Sequence, residues 1–577
     1  MLAVVMSIAR TKGRAVTLPG SRDTFSYGGP VTPERSDVPV PGHHDSIVAA
    51  DDTDEPGPPP SGLSRRRLRI DPARQMPLVV FGWVQIVLAL WWVGEFPGLL
   101  SVDSIHYVGH VTNGPWIAEH SVLYDSIILV SVHLTDNIWL VTLLQTTVAA
   151  AALAYVASSL RLVGVPQWGA AVPALILPLL PSFGAFVTTL WKDVPFALCE
   201  ILISATVVRI VSRRRDGAHK RTTRWLLLAL GGEFLGLVLF RNDGFVVLTV
   251  ALVILVLTVR GLRLKILGLG VGAILAMLFA QTVVYPAAGI KPAPSSLSYG
   301  LFYADIAIAY AQAPHTFTAA DKALMKQAAP LSVWRAADTC YTSDTLFKNA
   351  KFDRVAAGNE RGALLRLWLR AAERTPVTIL SARLCRGSVA WTVSAPPLSK
   401  THYGEVTVQV PDSLYGDAHL VPAKIAHNLL SHPLNSTLGT FTRWLRSTSK
   451  HPGFQPFIWR AGTWCYLFYL ALLIAARRLR RRDVLAIAAV ILGHQLTISL
   501  LNPAQLFRYM AGAMFIGMLF LPIALARKPQ PAGDPAVRSN IPDDVETVNN
   551  PPAVPTRTSC SSAAAYDDDL AGFRQGV

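Results

Sequence analysis

Apolar residues in this chain fall into long unbroken runs separated by short polar or basic punctuation. The first run, 76–93, follows the basic stretch "SRRRLR" and is about as long as a helix must be to cross the hydrocarbon layer. Comparable runs at 138–160, 168–190, 194–211, 225–240, 245–259 and 266–284 predict six further spans. Three more, at 457–476, 484–500 and 510–526, bring the expected number to ten. One apolar segment departs from the pattern: "HSVLYDSIILVSVHL", 120–134, is short and carries Asp125. It predicts a helix lying on the membrane surface, because a span there would put the basic "SRRRDGAHKRTTR" on the wrong side.

Between 285 and 455 the pattern turns polar. "NERGALLRLWLRAAERTP" sets Leu364, Leu365, Trp368 and Leu369 on one helical face, and "GEVTVQVP" alternates as a strand does. The fold expected is therefore an all-α polytopic membrane protein with an outer mixed α/β region. Its parts are an N-terminal tail to residue 72, a seven-span module over 73–285, an extracytoplasmic domain over 286–456, three closing spans over 457–526 and a C-terminal tail from 527. Both tails lack apolar periodicity and are expected to be disordered.

Composition agrees: 51% of residues are hydrophobic and only 16% charged. The net charge of +16 would suit a nucleic-acid binder, but its distribution does not. The basic residues cluster beside spans, as in "SRRRLR", "RGLRLK" and "RRLRRR". That is the positive-inside signal, which sets orientation. It predicts a multi-pass plasma-membrane protein with both termini cytoplasmic and no nucleic-acid partner. Cys340 and Cys385 are the two cysteines of the outer region, where oxidation is permitted; they are either a disulfide or two buried thiols. No CxxC or HExxH spacing and no phosphate-binding GxxxxGK[ST] loop occurs.

Ionisable residues gather in the loops expected on the outer side. "SVDSIHYVGH" holds Asp103, "LWKDVPF" holds Lys192 and Asp193, "FRNDGF" holds Arg241 and Asp243, and "NPAQLFRYM" adds Arg508 and Tyr509. A carboxylate there can take the proton of an acceptor hydroxyl, and cations can hold a phosphate leaving group as charge develops on it. Each residue also has a plainer role. Asp193 and Asp243 precede helices and suit capping, while Lys192 and Arg241 suit snorkelling. His120 opens the surface helix, where it can touch an acceptor. His106 and His110, four apart, read as surface histidines, with a metal pair as the alternative.

Taken together, "FPGLLSVDSIHYV…AEHSVLYDSIILVSVHL…WLVTLLQ", "LWKDVPFA", "RNDGF" and "RYM" resemble bacterial members of the GT-C superfamily of membrane glycosyltransferases. The resemblance implies a polyprenyl-phosphate sugar donor and a cell-envelope glycan, lipid or protein as acceptor. It implies a catalytic acid in the first outer loop, matched here by Asp103, and a second acidic loop, matched by Asp193. Lys192, Arg241 and Arg508 would contact phosphate. The single acid of "VDS", where several families carry a pair, argues against an obligate divalent metal, so no cofactor is expected. The alternative is a transporter or flippase for an envelope lipid or polymer, for which Glu200 and Glu233, inside spans, are the candidate path residues.

Overall fold

The computed structural model of the chain describes residues 72–213, 220–394 and 417–527. The tails, apart from one residue at each inner edge, and the strand-like segment 404–411 lie outside the described residues. Within them all regular structure is helical, and β pairing is limited to three isolated bridges. The described part of the expected α/β region is thus a set of short helices.

Seven helices are long and apolar enough to cross a membrane: Gln75–Gly94, Trp139–Leu162, Asp193–Arg213, Arg221–Phe240, Arg263–Ala287, Arg482–Leu501 and Phe507–Leu525. An eighth is counted if the pair Gln167–Leu179 and Pro181–Thr188, bent by 66°, is one span. The bend follows from Pro178 and Pro181, neither of which can donate the amide hydrogen that would continue the helix. Two of the ten expected spans differ in kind. Gly244–Thr258 is only 15 residues long, and Ala461–Leu479 ends on Arg477 and Arg478. Where a surface helix is predicted, the chain forms Val122–Thr135, opened by Ser121 accepting from the Tyr124 amide.

Asp193–Arg213 is the central helix, 78% buried over its apolar window, whereas Arg263–Ala287 is only 22% buried there. The central helix packs against both Trp139–Leu162 and Lys220–Phe240. Two phenylalanines of the bent pair, Phe183 and Phe186, meet Phe515 of the last span edge to face, at centroid distances of 4.8 and 5.5 Å.

The short helices over 300–386 enclose a second apolar core around Tyr303, Trp334, Leu364 and Leu367. Trp334 is fully buried and donates to the Met325 carbonyl, the packing role expected of a core tryptophan. Cys340 and Cys385 form a disulfide with a Cα–Cα distance of 5.8 Å. Beside it this helical region grips the segment before Arg508. The Ser343 amide donates to the Pro503 carbonyl, the Gln505 amide to Tyr341, and the Gln505 side chain to the Cys385 carbonyl.

Candidate functional site

The first and second polar loops are brought together by backbone. Leu99 donates to the Thr188 carbonyl at 3.0 Å, and Leu190 donates back to Leu99 at 2.9 Å. This crossing requires glycine at Gly98, whose φ is +147° and where a Cβ would meet the Thr142 methyl at 2.6 Å. Immediately after it Ser101 caps the helix Val102–Thr112, its amide donating to the Ser104 hydroxyl at 2.9 Å. Ser104 donates in turn to the Leu190 carbonyl, and Trp191 donates to the Ser101 hydroxyl at 2.6 Å. Asp103, in the first turn of that helix, therefore stands beside Lys192 and Asp193.

The other two loops complete the cluster. Arg508 Nη1 lies 2.5 Å from Asp103 Oδ2 and 4.0 Å from Asp193 Oδ2. Its guanidinium covers the rings of Trp191 and Tyr509 at 5.2 and 5.1 Å. Arg241 bridges two carboxylates, reaching Asp193 at 3.0 Å and Asp243 at 2.6 Å. The capping roles weighed from sequence do not hold for these side chains. The Asp243 carboxylate makes no cap hydrogen bond and is spent on Arg241, while Asp193 begins its helix but is likewise tied to Arg241.

Lys192 differs from the two arginines. Among the described residues no carboxylate lies within 4.0 Å of its ammonium, which donates instead to His120 Nδ1 at 3.3 Å. Burial lowers its affinity for a proton, partly offset by Asp193 and Asp103, and Arg241 and Arg508 push it down further. Burial, and then Lys192, hold His120 well below the usual histidine range, so its imidazole is neutral near pH 7 and can accept that bond. Burial raises Asp103, but Arg508 above all outweighs it and keeps the carboxyl well below the ordinary range. Although surrounded by protein, Asp103 keeps 31% of its side-chain surface open. Arg508 takes its Oδ2, and among the described residues nothing donates to Oδ1.

All eight residues singled out from sequence thus stand in one connected cluster. Four more belong beside it. His110 is buried, a correction to its reading as a surface residue, and its Nδ1 lies 3.3 Å from Asp125 Oδ2. Glu119 sits between the two histidines, 3.8 Å from His110 and 3.5 Å from His120. Trp191 completes the shell under Arg508. Asp125 inside an apolar run was a visible signal, whereas Glu119 lay in an unpatterned loop. Among the described residues no group of three or more His, Cys, Asp or Glu is arranged to hold a metal. Glu200 is fully buried and paired with His494 at 2.6 Å, and Glu233 accepts from Thr206 at 2.7 Å.

No family model matches the chain, and no curated protein matches it in sequence. Among solved structures it resembles ArnT from Cupriavidus metallidurans bound to undecaprenyl phosphate, at 14% identity over 76% of this chain and 77% of that one, with a TM-score of 0.32. A likeness at that level carries nothing about substrate or residues, and the reading of this site rests on its own geometry.

Proposed function

We propose that this chain is a membrane glycosyltransferase of the GT-C kind, moving a sugar from a polyprenyl-phosphate donor to a hydroxyl of a cell-envelope acceptor at the outer membrane face. The observation that carries the proposal is the unequal pairing of the clustered charges. Arg241 and Arg508 are committed to carboxylates, whereas Lys192 has no anionic partner within 4.0 Å among the described residues, and Asp103 keeps one oxygen open. An acceptor hydroxyl and a donor phosphate need one of each.

In this reaction the acceptor oxygen forms a bond to the anomeric carbon as the carbon–oxygen bond to phosphate breaks. The hydroxyl proton passes to Asp103 Oδ1, and the negative charge gathering on the leaving polyprenyl phosphate falls beside Lys192. Arg508 fixes the direction of the carboxylate by holding Oδ2. A carboxyl held this acidic is a weak base. It suits a displacement in which bond breaking runs ahead and the attacking hydroxyl becomes acidic as its bond forms. A single in-line displacement inverts the sugar carbon. The transporter reading has less support, since Glu200 is wholly enclosed and paired with His494. The test is a transfer assay in membranes with a panel of radiolabelled polyprenyl-phosphate sugars. Labelled product from the wild type, lost in Asp103→Asn, supports the proposal; no product with any donor overturns it.

A further inference from the structure

The stretch between the helical region over 300–394 and the Ala461–Leu479 helix carries apolar side chains that nothing described covers. Leu434, Phe441, Trp444, Phe454 and Phe457 are each 50–57% exposed, and the rings of Phe441 and Trp444 stack at 5.9 Å. Aromatic surface of this extent facing water is unfavourable, and a patch of this kind marks a contact surface.

The helix Ser436–Thr448 divides cleanly into two faces. Asn435 caps it by accepting from the Leu438 amide. Gly439 and Thr442 are buried where the helix meets the end of the first span, against Gly94. One turn on, Arg446 pairs with Glu95 at 3.1 Å. The helix is thus fastened at the level where a membrane span ends, with Phe441 and Trp444 on its exposed side. Its charge is one-sided as well. From 418 to 482 the sequence holds no Asp or Glu, while Arg443, between Phe441 and Trp444 in the chain, is exposed.

We infer that Ser436–Thr448 is an in-plane membrane helix whose Phe441 and Trp444 lie in the headgroup layer of the bilayer, with Arg443 at the lipid phosphates. Three observations select lipid as the occupant: attachment at a span terminus, amphipathic aromatic side chains of the type that settles at membrane interfaces, and a surrounding sequence, 418–482, that carries basic residues and no acid, which matches phosphate-bearing headgroups. The inference does not depend on the chemistry proposed for the site and holds equally for a transferase or a transporter.

The test places a nitroxide at position 444 in the full chain, after Cys199, Cys465 and Cys560 are replaced by alanine and the Cys340–Cys385 disulfide is kept. A second label at position 348, where Lys348 is 70% exposed, provides the aqueous reference. In vesicles of phosphatidylcholine with one quarter phosphatidylglycerol, collision with oxygen should exceed collision with a water-soluble nickel chelate at 444, and the order should reverse at 348. Phe441→Cys is the second labelling site should Trp444→Cys fail to give monodisperse protein. Nickel access at 444 equal to that at 348 overturns the inference. So does a label shielded from both reagents in detergent and vesicles alike, because that would mean another part of the chain or a second copy covers the face.

Discussion

Two aspartates, Asp103 and Asp305, are built from the same parts and do opposite things. Asp305, in the helix Gly300–Gln312, has no exposed surface, and both its oxygens are saturated. Arg386 takes Oδ1 at 3.0 Å, while Arg383 and the Trp368 indole take Oδ2 at 2.5 and 3.0 Å. Asp103 also meets an arginine at 2.5 Å, yet it keeps a third of its side chain open and one oxygen free. A closed, saturated pair holds helices together and has no capacity left for a ligand. An open, half-saturated one has been oriented and left able to accept. The residue types alone do not separate the two; the unmade hydrogen bond does.

This contrast is sharpest under substitution. Asp103→Asn keeps the shape but removes the basic oxygen, so transfer should fall about 10³-fold, the range for loss of a positioned general base. The melting temperature and abundance should stay close to wild type. Asp305→Asn should do the reverse. It leaves two guanidinium groups buried without a counter-charge, which costs roughly 3–5 kcal/mol. Thermal unfolding should drop sharply, and activity should be lost only as folded protein is lost. Equal destabilisation by both variants, read by thermal unfolding in detergent, would erase the distinction.

The membrane helices were largely legible because hydrocarbon enforces long apolar runs that leave little room for exceptions. The exceptions occurred where other physics intervened, in the proline-bent pair around Pro178 and Pro181 and in the arginine-terminated Ala461–Leu479. The polar loops were legible as chemistry but not as pairing. Nothing local tells Asp193 to choose Arg241 over capping its own helix, since the choice depends on a residue 48 positions away. His110 was misread for the same reason: its burial is set by Asp125 across a turn, not by the helix that carries it. Asp305 drew no notice, although it is the one charged residue of the apolar helix Gly300–Gln312, because its arginines arrive from 78 and 81 residues downstream.

A smaller effect separates Lys192 from the arginines around it. Phosphate holding needs the ammonium form, which exists below the lysine pKa. Since burial and the neighbouring guanidinium groups lower that pKa, the charge is lost at a lower pH than for an ordinary lysine. The transfer rate should therefore decline on the alkaline side earlier than a free lysine would allow. Lys192→Arg, whose charge persists at every accessible pH, should move that decline upward, with a lower plateau because the planar fork does not reproduce a point charge. An alkaline limb that stays put in the arginine variant would show that another group sets it.

The smallest effect probes how the closed region supports the open one. The Cys340–Cys385 disulfide lies beside Gln505, which bonds the Cys385 carbonyl, and three residues further on stands Arg508, the partner of Asp103. Removing the cross-link by the double substitution Cys340→Ser and Cys385→Ser frees a 45-residue separation in the unfolded chain and should cost about 4 kcal/mol of stability. The grip on 503–505 also rests on the Ser343 amide and the Gln505 side chain, both retained, so Arg508 should loosen without detaching. The expected result is a several-fold loss of turnover at temperatures where the protein remains folded, against the far larger loss in Asp103→Asn. Unchanged turnover together with a lowered melting temperature would mean that the helical region stabilises the chain without steering Arg508. The two aspartates would then belong to parts of the molecule that work independently.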